Sequence, residues 1–185
     1  MSNLVSVVGG SGFIGSRLTQ RFKRFEKPFQ IVDVSPSLVF PGEAVLADVR
    51  SLDALRAHIA EGAALINLAA EHRDDVRPLS LYDEVNVGGA RNLCTVAREK
   101  HVYTIVFTST VAVYGFAPLG TDESGAIAPF NDYGRTKFEA EQVFRAWQAE
   151  APAERTLVIL RPTVVFGEQN RGNVYNLLRQ MASGR

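Results

Sequence analysis

Short apolar runs alternate with longer segments in which apolar residues recur every three or four positions, from one end of the chain to the other. The short runs predict strands over residues 5–8, 29–34, 43–47, 63–70, 103–110 and 156–161. The periodic segments predict helices over residues 12–25, 81–100, 132–150 and 174–181, and a short helix that begins after Ser51 as its N-cap. Regular alternation of this kind is typical of a parallel sheet covered on both faces. We therefore predict an α/β fold with a doubly wound parallel sheet and helices on both faces.

The first predicted strand leads directly into a glycine-rich turn in which Gly9, Gly12 and Gly15 recur every three residues, and the first helix comes next. In a dinucleotide-binding turn the first glycine permits the sharp bend, the second lets a pyrophosphate approach the backbone, and the third lets the helix pack on the strand. The helix N-terminus adds free N–H groups and the positive end of the helix dipole. An ordinary glycine-rich β–α turn is the alternative, so the interpretation depends on residues further along the chain.

Asp33 closes the second predicted strand, about 20 residues after the glycines, as the dinucleotide-binding fingerprint requires. A carboxylate at this position accepts hydrogen bonds from ribose hydroxyls and repels a 2′-phosphate, so it favours NAD over NADP. The alternative is a solvated acid at a strand end. Together with the glycine turn, Asp33 predicts a Rossmann-type NAD-binding domain.

Tyr133 and Lys137 form a Tyr-x-x-x-Lys pair near the start of a predicted helix, so both side chains leave the same helix face. An ammonium group near a phenol favours the phenolate, and we expect Lys137 to lower the pKa of Tyr133 towards neutral pH. The phenol could then exchange a proton with a substrate hydroxyl or carbonyl. The hydroxyls of residues 108–110 follow the preceding strand, at the sheet edge where α/β proteins bind ligands.

In this combination the sequence resembles the extended short-chain dehydrogenase/reductases of the NAD-dependent epimerase/dehydratase type, which act on nucleotide sugars. The matching residues are 9–15, Asp33, Asp48, 67–70, 86–93, 108–115, 133–137 and 161–167. The resemblance implies Thr110, Tyr133 and Lys137 as catalytic residues, the last two also touching the cofactor. It implies the following NAD-binding residues: Gly9, Gly12, Phe13, Ile14 and Gly15 at the pyrophosphate, Asp33 at the ribose, Asp48 and Val49 at the adenine, Leu68, Ala69 and Ala70 along the cofactor, and Asn86 as a brace.

The chemistry that the resemblance implies is hydride transfer between a sugar carbon and the nicotinamide, with protein groups moving the proton. The family's 4,6-dehydratases carry Asp-Glu after the catalytic threonine, where this chain has Val111 and Ala112, so we exclude a dehydratase. We expect a nucleotide-sugar epimerase that forms a 4-keto intermediate. A 4-ketoreductase or another carbonyl reductase stays open, since Val164 stands where galactose epimerases have asparagine. A non-catalytic dinucleotide sensor would typically lack the Tyr-x-x-x-Lys pair.

Charge and length set the remaining expectations. The 185 residues include 20 basic and 20 acidic side chains, and no apolar run approaches the ~18 residues of a membrane span, so we expect neither a nucleic-acid nor a membrane partner. The only cysteine, Cys94, cannot form an internal disulfide, and the early first strand leaves no room for a signal peptide, so we expect a cytoplasmic protein. We expect no metal site. From the resemblance we expect a homodimer. We also expect that residues 1–185 form the NAD-binding domain and that the C-terminal substrate-binding domain of the family is largely absent from them.

Overall fold

Parallel strands form a single sheet in the computed structural model, which describes residues 3–73, 75–170 and 172–184. The strands are β1 Val5–Val8, β2 Phe29–Asp33, β3 Ala44–Leu46, β4 Ala64–Asn67, β5 Thr104–Thr108 and β6 Thr156–Leu160. Their order across the sheet is β3-β2-β1-β4-β5-β6, and every neighbouring pair is parallel. The order reverses at β1, which lies between β2 and β4. In open α/β sheets such a reversal leaves a crevice at the carboxyl ends of the strands, where ligands bind.

The helices are α1 Phe13–Arg24, α2 Leu52–His58, α3 Ser80–Tyr82, α4 Gly89–Glu99, α5 Asp132–Ala149 and α6 Asn173–Ala182. Ser51 is the N-cap of α2, as predicted, and its side chain accepts a hydrogen bond from the N–H of Ala54. A π-helical segment, Asp83–Gly88, joins α3 to α4. The prediction of one regular helix over residues 81–100 was therefore wrong in its first part, because residues 83–88 form wider, π-helical turns. The buried side chain of Asn86 lies in this segment.

Strand ends also differ from the prediction. β4 ends at Asn67 rather than at residue 70, because the chain bends there and Asn67 Oδ1 accepts a hydrogen bond from the N–H of Ala69 at 3.1 Å. After β5 the chain forms a 3₁₀ turn, Val111–Tyr114, with Thr110 as its N-cap. These two bends lie at the carboxyl edge of the sheet, which is where the predicted site residues lie.

Apolar side chains cover both faces of the sheet, which confirms the predicted fold class. One face packs against α2, α4 and α5, and the large fully buried residues of that layer include Leu55, Ile59, Leu65, Leu93, Ile105, Phe107, Phe144 and Trp147. The opposite face packs against α1 through Leu18 and Phe22. Towards the β6 edge this second face is open, and Val158 and Leu160 of β6 are exposed, as are Leu177 and Met181 of α6.

Cys94 lies in the core between α4 and α5, with its Sγ 4.0 Å from the carbonyl oxygen of Val143. Burial raises the pKa of its thiol to about 12. No helix in the described ranges is long and apolar enough to cross a membrane.

A buried ion pair joins α5 to the end of β6. Glu141 is completely buried and accepts two hydrogen bonds from Arg161, at 2.8 Å from Nε and 2.5 Å from Nη2. The Nη1 atom of Arg161 also donates to the hydroxyl of Tyr114, at the end of the 3₁₀ turn. This network links α5, the end of β6 and the 3₁₀ turn. The hydrogen bonds with Glu141 and Tyr114 raise the pKa of Arg161 above its ordinary value.

We predict that Glu141→Gln lowers the free energy of unfolding by about 3 kcal/mol, because it leaves the Arg161 guanidinium buried without its counter-charge. Urea unfolding of the 185-residue chain measures the effect. Lys23→Gln is the matched control: it breaks the exposed Lys23–Glu43 pair, 3.1 Å long, and should change stability by no more than about 0.5 kcal/mol. Equal losses in the two variants would contradict a structural role for the buried pair.

Candidate active site

Of the three predicted pyrophosphate-binding glycines, Gly9 and Gly15 are required by the packing of the chain itself. Gly9 has a φ of 77°, and a Cβ atom there would lie 2.5 Å from the backbone nitrogen of Ala69. A Cβ atom on Gly15 would lie 2.5 Å from the Cα atom of Gly10, which is also too close. On Gly12 it would meet nothing nearer than the oxygen of Gly9 at 3.5 Å, an ordinary contact. Glycine at position 12 therefore leaves open space beside the backbone rather than relieving a clash within the chain.

The N-terminus of α1 opens onto that space. Gly12 is its N-cap and offers no side chain, and the first turn, which begins with Phe13 and Ile14, contains no acidic residue. The N–H groups of this turn thus have no side-chain acceptor at the N-cap. A helix of 12 residues with such an end attracts a phosphate through these N–H groups and through its dipole.

Asp33 connects the glycine turn to the end of β2. One carboxylate oxygen accepts a hydrogen bond from the N–H of Ser11 and the other from the N–H of Ser35, both at 2.9 Å. The hydroxyl of Ser11 also donates to the carbonyl of Ser35 at 2.8 Å. A carboxylate offers about four acceptor positions, so Asp33 retains capacity for the hydroxyls of a ribose. The sequence did not predict that Ser11 and Ser35 bind Asp33. The signal available was their position, because Ser35 lies two residues after Asp33 and Ser11 lies within the glycine turn, directly before Gly12.

The predicted adenine-binding residues follow β3. The Asp48 carboxylate is paired with the guanidinium of Arg50 at 2.6 Å, and this hydrogen-bonded pair lowers the pKa of Asp48. Val49 is buried, and its carbonyl oxygen accepts a hydrogen bond from Asn92 of α4 at 2.9 Å. The structure thus fixes the backbone at this position and places a charged pair next to it.

The bend after β4 lies against the glycine turn. The N–H of Leu68 donates to the carbonyl of Val8 at 2.8 Å, and the backbone of Ala69 is the group that lies against Gly9. Ala70 follows in the same bend. The structure therefore brings the predicted residues 68–70 together with the predicted pyrophosphate turn, although more than 50 residues of chain lie between them.

Asn86, in the π-helical segment, is buried and bonded in two directions. Its side-chain oxygen accepts from the N–H of Glu71 at 2.9 Å, and its Nδ2 atom donates to the Glu71 carbonyl at 3.1 Å. The same Nδ2 atom donates to Thr136 Oγ1 at 2.9 Å. Asn86 thus connects the loop after β4 to the residue that precedes Lys137 on α5. Thr136 was missed because its only signal in the sequence is its position between Tyr133 and Lys137.

Thr110 and Tyr133 lie side by side at the carboxyl edge. Thr110 ends the extended segment after β5 and is almost completely buried, and its side chain lies close enough to the phenol of Tyr133 to affect the pKa of that phenol. Asn131 caps the helix that carries Tyr133 by accepting the N–H of Gly134 at 2.8 Å. A Cβ atom on Gly134 would lie 2.5 Å from the oxygen of Ala112, so glycine lets α5 begin directly against the 3₁₀ turn.

Lys137 follows Tyr133 by one turn of α5 and is 2% exposed. Its Nζ atom lies 4.3 Å from the centre of the Phe107 ring, and burial lowers its pKa to about 7, opposed by the charge of Glu141. Burial raises the pKa of Tyr133, and the hydrogen bond with Thr110 lowers it in part. The expected lowering of the Tyr133 pKa by Lys137 is therefore not found: desolvation dominates at the phenol and removes much of the charge from the lysine.

Within the described ranges, no three His, Cys, Asp or Glu side chains lie together as metal ligands would.

The Lys137 pKa predicts a pH dependence of stability. The unfolded chain has an ordinary lysine pKa near 10.4, so between about pH 7 and pH 10 it binds more protons than the folded chain. Stability should therefore rise with pH in this window, by at most about 1.4 kcal/mol per pH unit from this group. Urea unfolding across the window should show that Lys137→Met flattens this rise. Lys23→Met, which alters an exposed lysine, should preserve it, and identical slopes in all three proteins would refute the assignment.

Comparison with known proteins agrees with this geometry. Residues 5–185 match the model of the "NAD dependent epimerase/dehydratase family". The chain is 46% identical over its whole length to an N-acetyl-alpha-D-glucosaminyl-diphospho-ditrans,octacis-undecaprenol 4-epimerase of Escherichia coli O157:H7, and 28% identical to a UDP-glucose 4-epimerase of Vibrio cholerae. It spans 56% and 58% of the lengths of these two relatives.

Among solved structures, UDP-glucose 4-epimerase from Brucella ovis in complex with NAD superposes with a TM-score of 0.76 at 28% identity. The match covers 86% of this chain and 51% of that structure. The strand order, the glycine turn and the match along residues 5–185 lead to one conclusion. The chain belongs to the NAD-dependent epimerase/dehydratase family.

Proposed function

We propose that the complete protein that carries this chain is an NAD-dependent epimerase, which inverts the C4 hydroxyl of a sugar linked to a diphosphate. The observation that carries the proposal is the placement of the Thr110 side chain beside the phenol of Tyr133 at the carboxyl edge, with Lys137 one turn further along the same helix. The relatives support the reaction, since both act as sugar 4-epimerases by name. Their names also point to two carriers for the sugar, a nucleotide and a polyprenol.

The residues of the crevice fit NAD. The open space at Gly12 and the uncapped start of α1 suit a pyrophosphate, with Phe13, Ile14 and Gly15 supplying the first helical turn. Asp33 would bind the ribose and would repel a 2′-phosphate. The adenine would lie against Asp48 and Val49. When bound, NAD supplies hydride transfer at the sugar carbon.

The remaining steps belong to the chain's own side chains. Tyr133 would accept the proton of the sugar hydroxyl as general base and return it as general acid, with Thr110 orienting the same oxygen. A phenol of raised pKa must lose its proton to do so, and a positive charge on Lys137 would favour the phenolate. We infer that Lys137 acts in its protonated form, which a pKa of about 7 leaves in part at neutral pH, and that Asn86 positions it through Thr136.

The 3₁₀ turn supports epimerisation rather than dehydration. Its first residues, Val111 and Ala112, offer no carboxylate, and their backbone is engaged by Pro162 and Thr110: Val111 N–H donates to the Pro162 carbonyl at 3.1 Å, and Ala112 N–H to Thr110 Oγ1 at 3.1 Å. The two positions after Thr110 therefore supply no carboxylate for an elimination. A homodimer and a cytoplasmic location stay predictions from the sequence.

Tyr133→Phe in the complete protein should lower kcat by about a thousandfold, because it removes the only proton-exchanging group on the phenol ring. NAD binding should stay within a few-fold of wild type. The matched control is Tyr103→Phe, which alters a tyrosine at the amino end of β5, 39% exposed, and should leave kcat unchanged. Full activity of Tyr133→Phe would refute the mechanism, and NAD binding without any turnover by the wild type would indicate a sensor.

Calorimetric titration of the 185-residue chain should show NAD binding and little or no NADP binding. Asp33→Asn removes the negative charge that repels the 2′-phosphate while keeping an acceptor for the N–H of Ser11 or Ser35, so it should reduce the preference about tenfold or more. Asp53→Asn is the control, since Asp53 lies exposed in α2. Equal binding of NAD and NADP by the wild type would contradict the role given to Asp33.

A further inference from the structure

Three large apolar side chains stand out from the surface beside the candidate active site. Phe116 is 89% exposed, Phe130 is 60% exposed and Leu119 is fully exposed. The two phenylalanine rings stack on each other, with centres 4.7 Å apart and planes 20° apart. We refer to these three residues as the apolar tip. Leu119 lies three positions after Phe116 in the same loop, and exposed apolar surface of this kind is typical of sites that bind an apolar partner.

The apolar tip is fixed to the rest of the fold at its base. The N–H of Ala128 donates to the carbonyl of Val113 at 3.0 Å, and the backbone of Gly115, at a φ of 62°, lies directly against the Ala128 carbonyl. Within the loop, both the N–H and the hydroxyl of Thr121 donate to the carbonyl of Pro118. The loop thus presents its apolar side chains from a hydrogen-bonded base.

Both ends of this loop lead to catalytic candidates. Phe116 follows the 3₁₀ turn that Thr110 caps, and Phe130 directly precedes Asn131, the N-cap of the helix that carries Tyr133. A partner that covers the apolar tip would therefore lie beside the mouth of the site.

The chemistry of the apolar tip fits a bilayer surface. Residues 115–120 and 125–130 contain no charged side chain, and the two acids between them, Asp122 and Glu123, lie in the exposed connecting turn. Most of the surface of both rings is exposed, which suits insertion among lipid head groups and acyl chains more than enclosure of a small ligand. Residues 115–130 contain no lysine or arginine, which would be needed to attract anionic lipids, so the apolar tip suits a neutral bilayer.

A second exposed aromatic offers a different surface at the opposite edge of the sheet. Phe25, at the end of α1, is 67% exposed, and the guanidinium groups of Arg21 and Arg24 lie 5.7 and 6.0 Å from the centre of its ring. Basic groups around an aromatic ring suit an anionic lipid surface. The carboxyl ends of the parallel strands, where the candidate active site lies, point away from this end of α1. A membrane there would leave Tyr133 remote from a lipid-linked substrate.

We propose that the apolar tip inserts into the bilayer interface and brings the active site to a sugar whose diphosphate is linked to a membrane-embedded polyprenol. The inference rests on the proposed epimerase function and selects the lipid carrier over the nucleotide. The relative from Escherichia coli, whose name specifies a sugar linked to an undecaprenol diphosphate, supports the selection. The proposal departs from the expectation of no membrane partner, which rested on membrane-spanning runs and net charge and not on exposed apolar residues in a loop.

Co-sedimentation of the complete protein with phosphatidylcholine vesicles tests the proposal. We expect the wild type to bind and the double variant Phe116→Ser/Leu119→Ser to bind about tenfold more weakly or less, since it removes two side chains that would enter the bilayer. High salt should have little effect on binding, because no charge is involved. NAD binding of the double variant should equal that of the wild type, which shows that the chain is folded.

Phe25→Ser is the matched control, and it should bind vesicles like the wild type. The proposal is overturned if the double variant binds as well as the wild type, or if the wild type does not bind at all. It is also overturned if binding requires phosphatidylglycerol, disappears in high salt and is lost in Phe25→Ser, because the end of α1 would then be the docking surface.

Activity separates this inference from the proposed function. If the wild type epimerises sugar diphosphates in solution but does not bind vesicles, the proposed function stands and the inference is overturned. If the apolar tip is needed for vesicle binding but no sugar diphosphate is turned over, the docking surface stands and the epimerase assignment fails. A tenfold preference for polyprenol-linked substrate in vesicles that the double variant loses, with unchanged kcat on a water-soluble sugar diphosphate, would support both.

Discussion

The backbone of Gly9 lies so close to that of Ala69 that no side chain fits between them, and the site depends on this contact. It joins the turn after β1 to the bend after β4, the two neighbouring strands at the point where the strand order reverses. Because the turn must stay this close, α1 begins where its free N–H groups face the crevice. The carboxylate of Asp33 then fixes the same turn from the other side through Ser11. The cradle for a dinucleotide is thus a consequence of backbone packing.

The catalytic candidates are positioned by contacts that hold α5 at its start, in its first turns and in its middle. Its start is fixed by the Asn131 cap and by Gly134 against the 3₁₀ turn, its first turns by the bond between Asn86 and Thr136, and its middle by Glu141. Thr136 and Glu141, the helix residues that make the two side-chain contacts, are buried polar groups and would be costly to leave without hydrogen bonds. The helix therefore has little freedom to shift, and the oxygen of Tyr133 keeps its place beside Thr110.

The sequence predicted most of the fold, because apolar periodicity and turn glycines are local signals. It also placed the hydroxyls of residues 108–110 at the sheet edge where α/β proteins bind ligands, and the resemblance implied that the glycine turn, Asp33 and residues 68–70 contact one cofactor. The π-helical turn and the Glu141–Arg161 pair were not predictable in this way. Their causes are contacts between residues far apart in the chain, and a buried glutamate has the same sequence pattern as a solvated one. For the same reason the sequence placed a charged lysine beside Tyr133, whereas burial determines the charge of Lys137.

Cys94 gives the packing of α4 against α5 a chemical signature. Its thiol, buried between the two helices, has a pKa of about 12 and thus stays protonated at neutral pH. A protonated, enclosed thiol reacts with neither alkylating reagents nor disulfides. Alkylation of the folded protein therefore requires the two helices to separate, and the rate of alkylation reports how often they do. The chain's single cysteine is a natural probe of the opening of the layer that carries Tyr133 and Asn86.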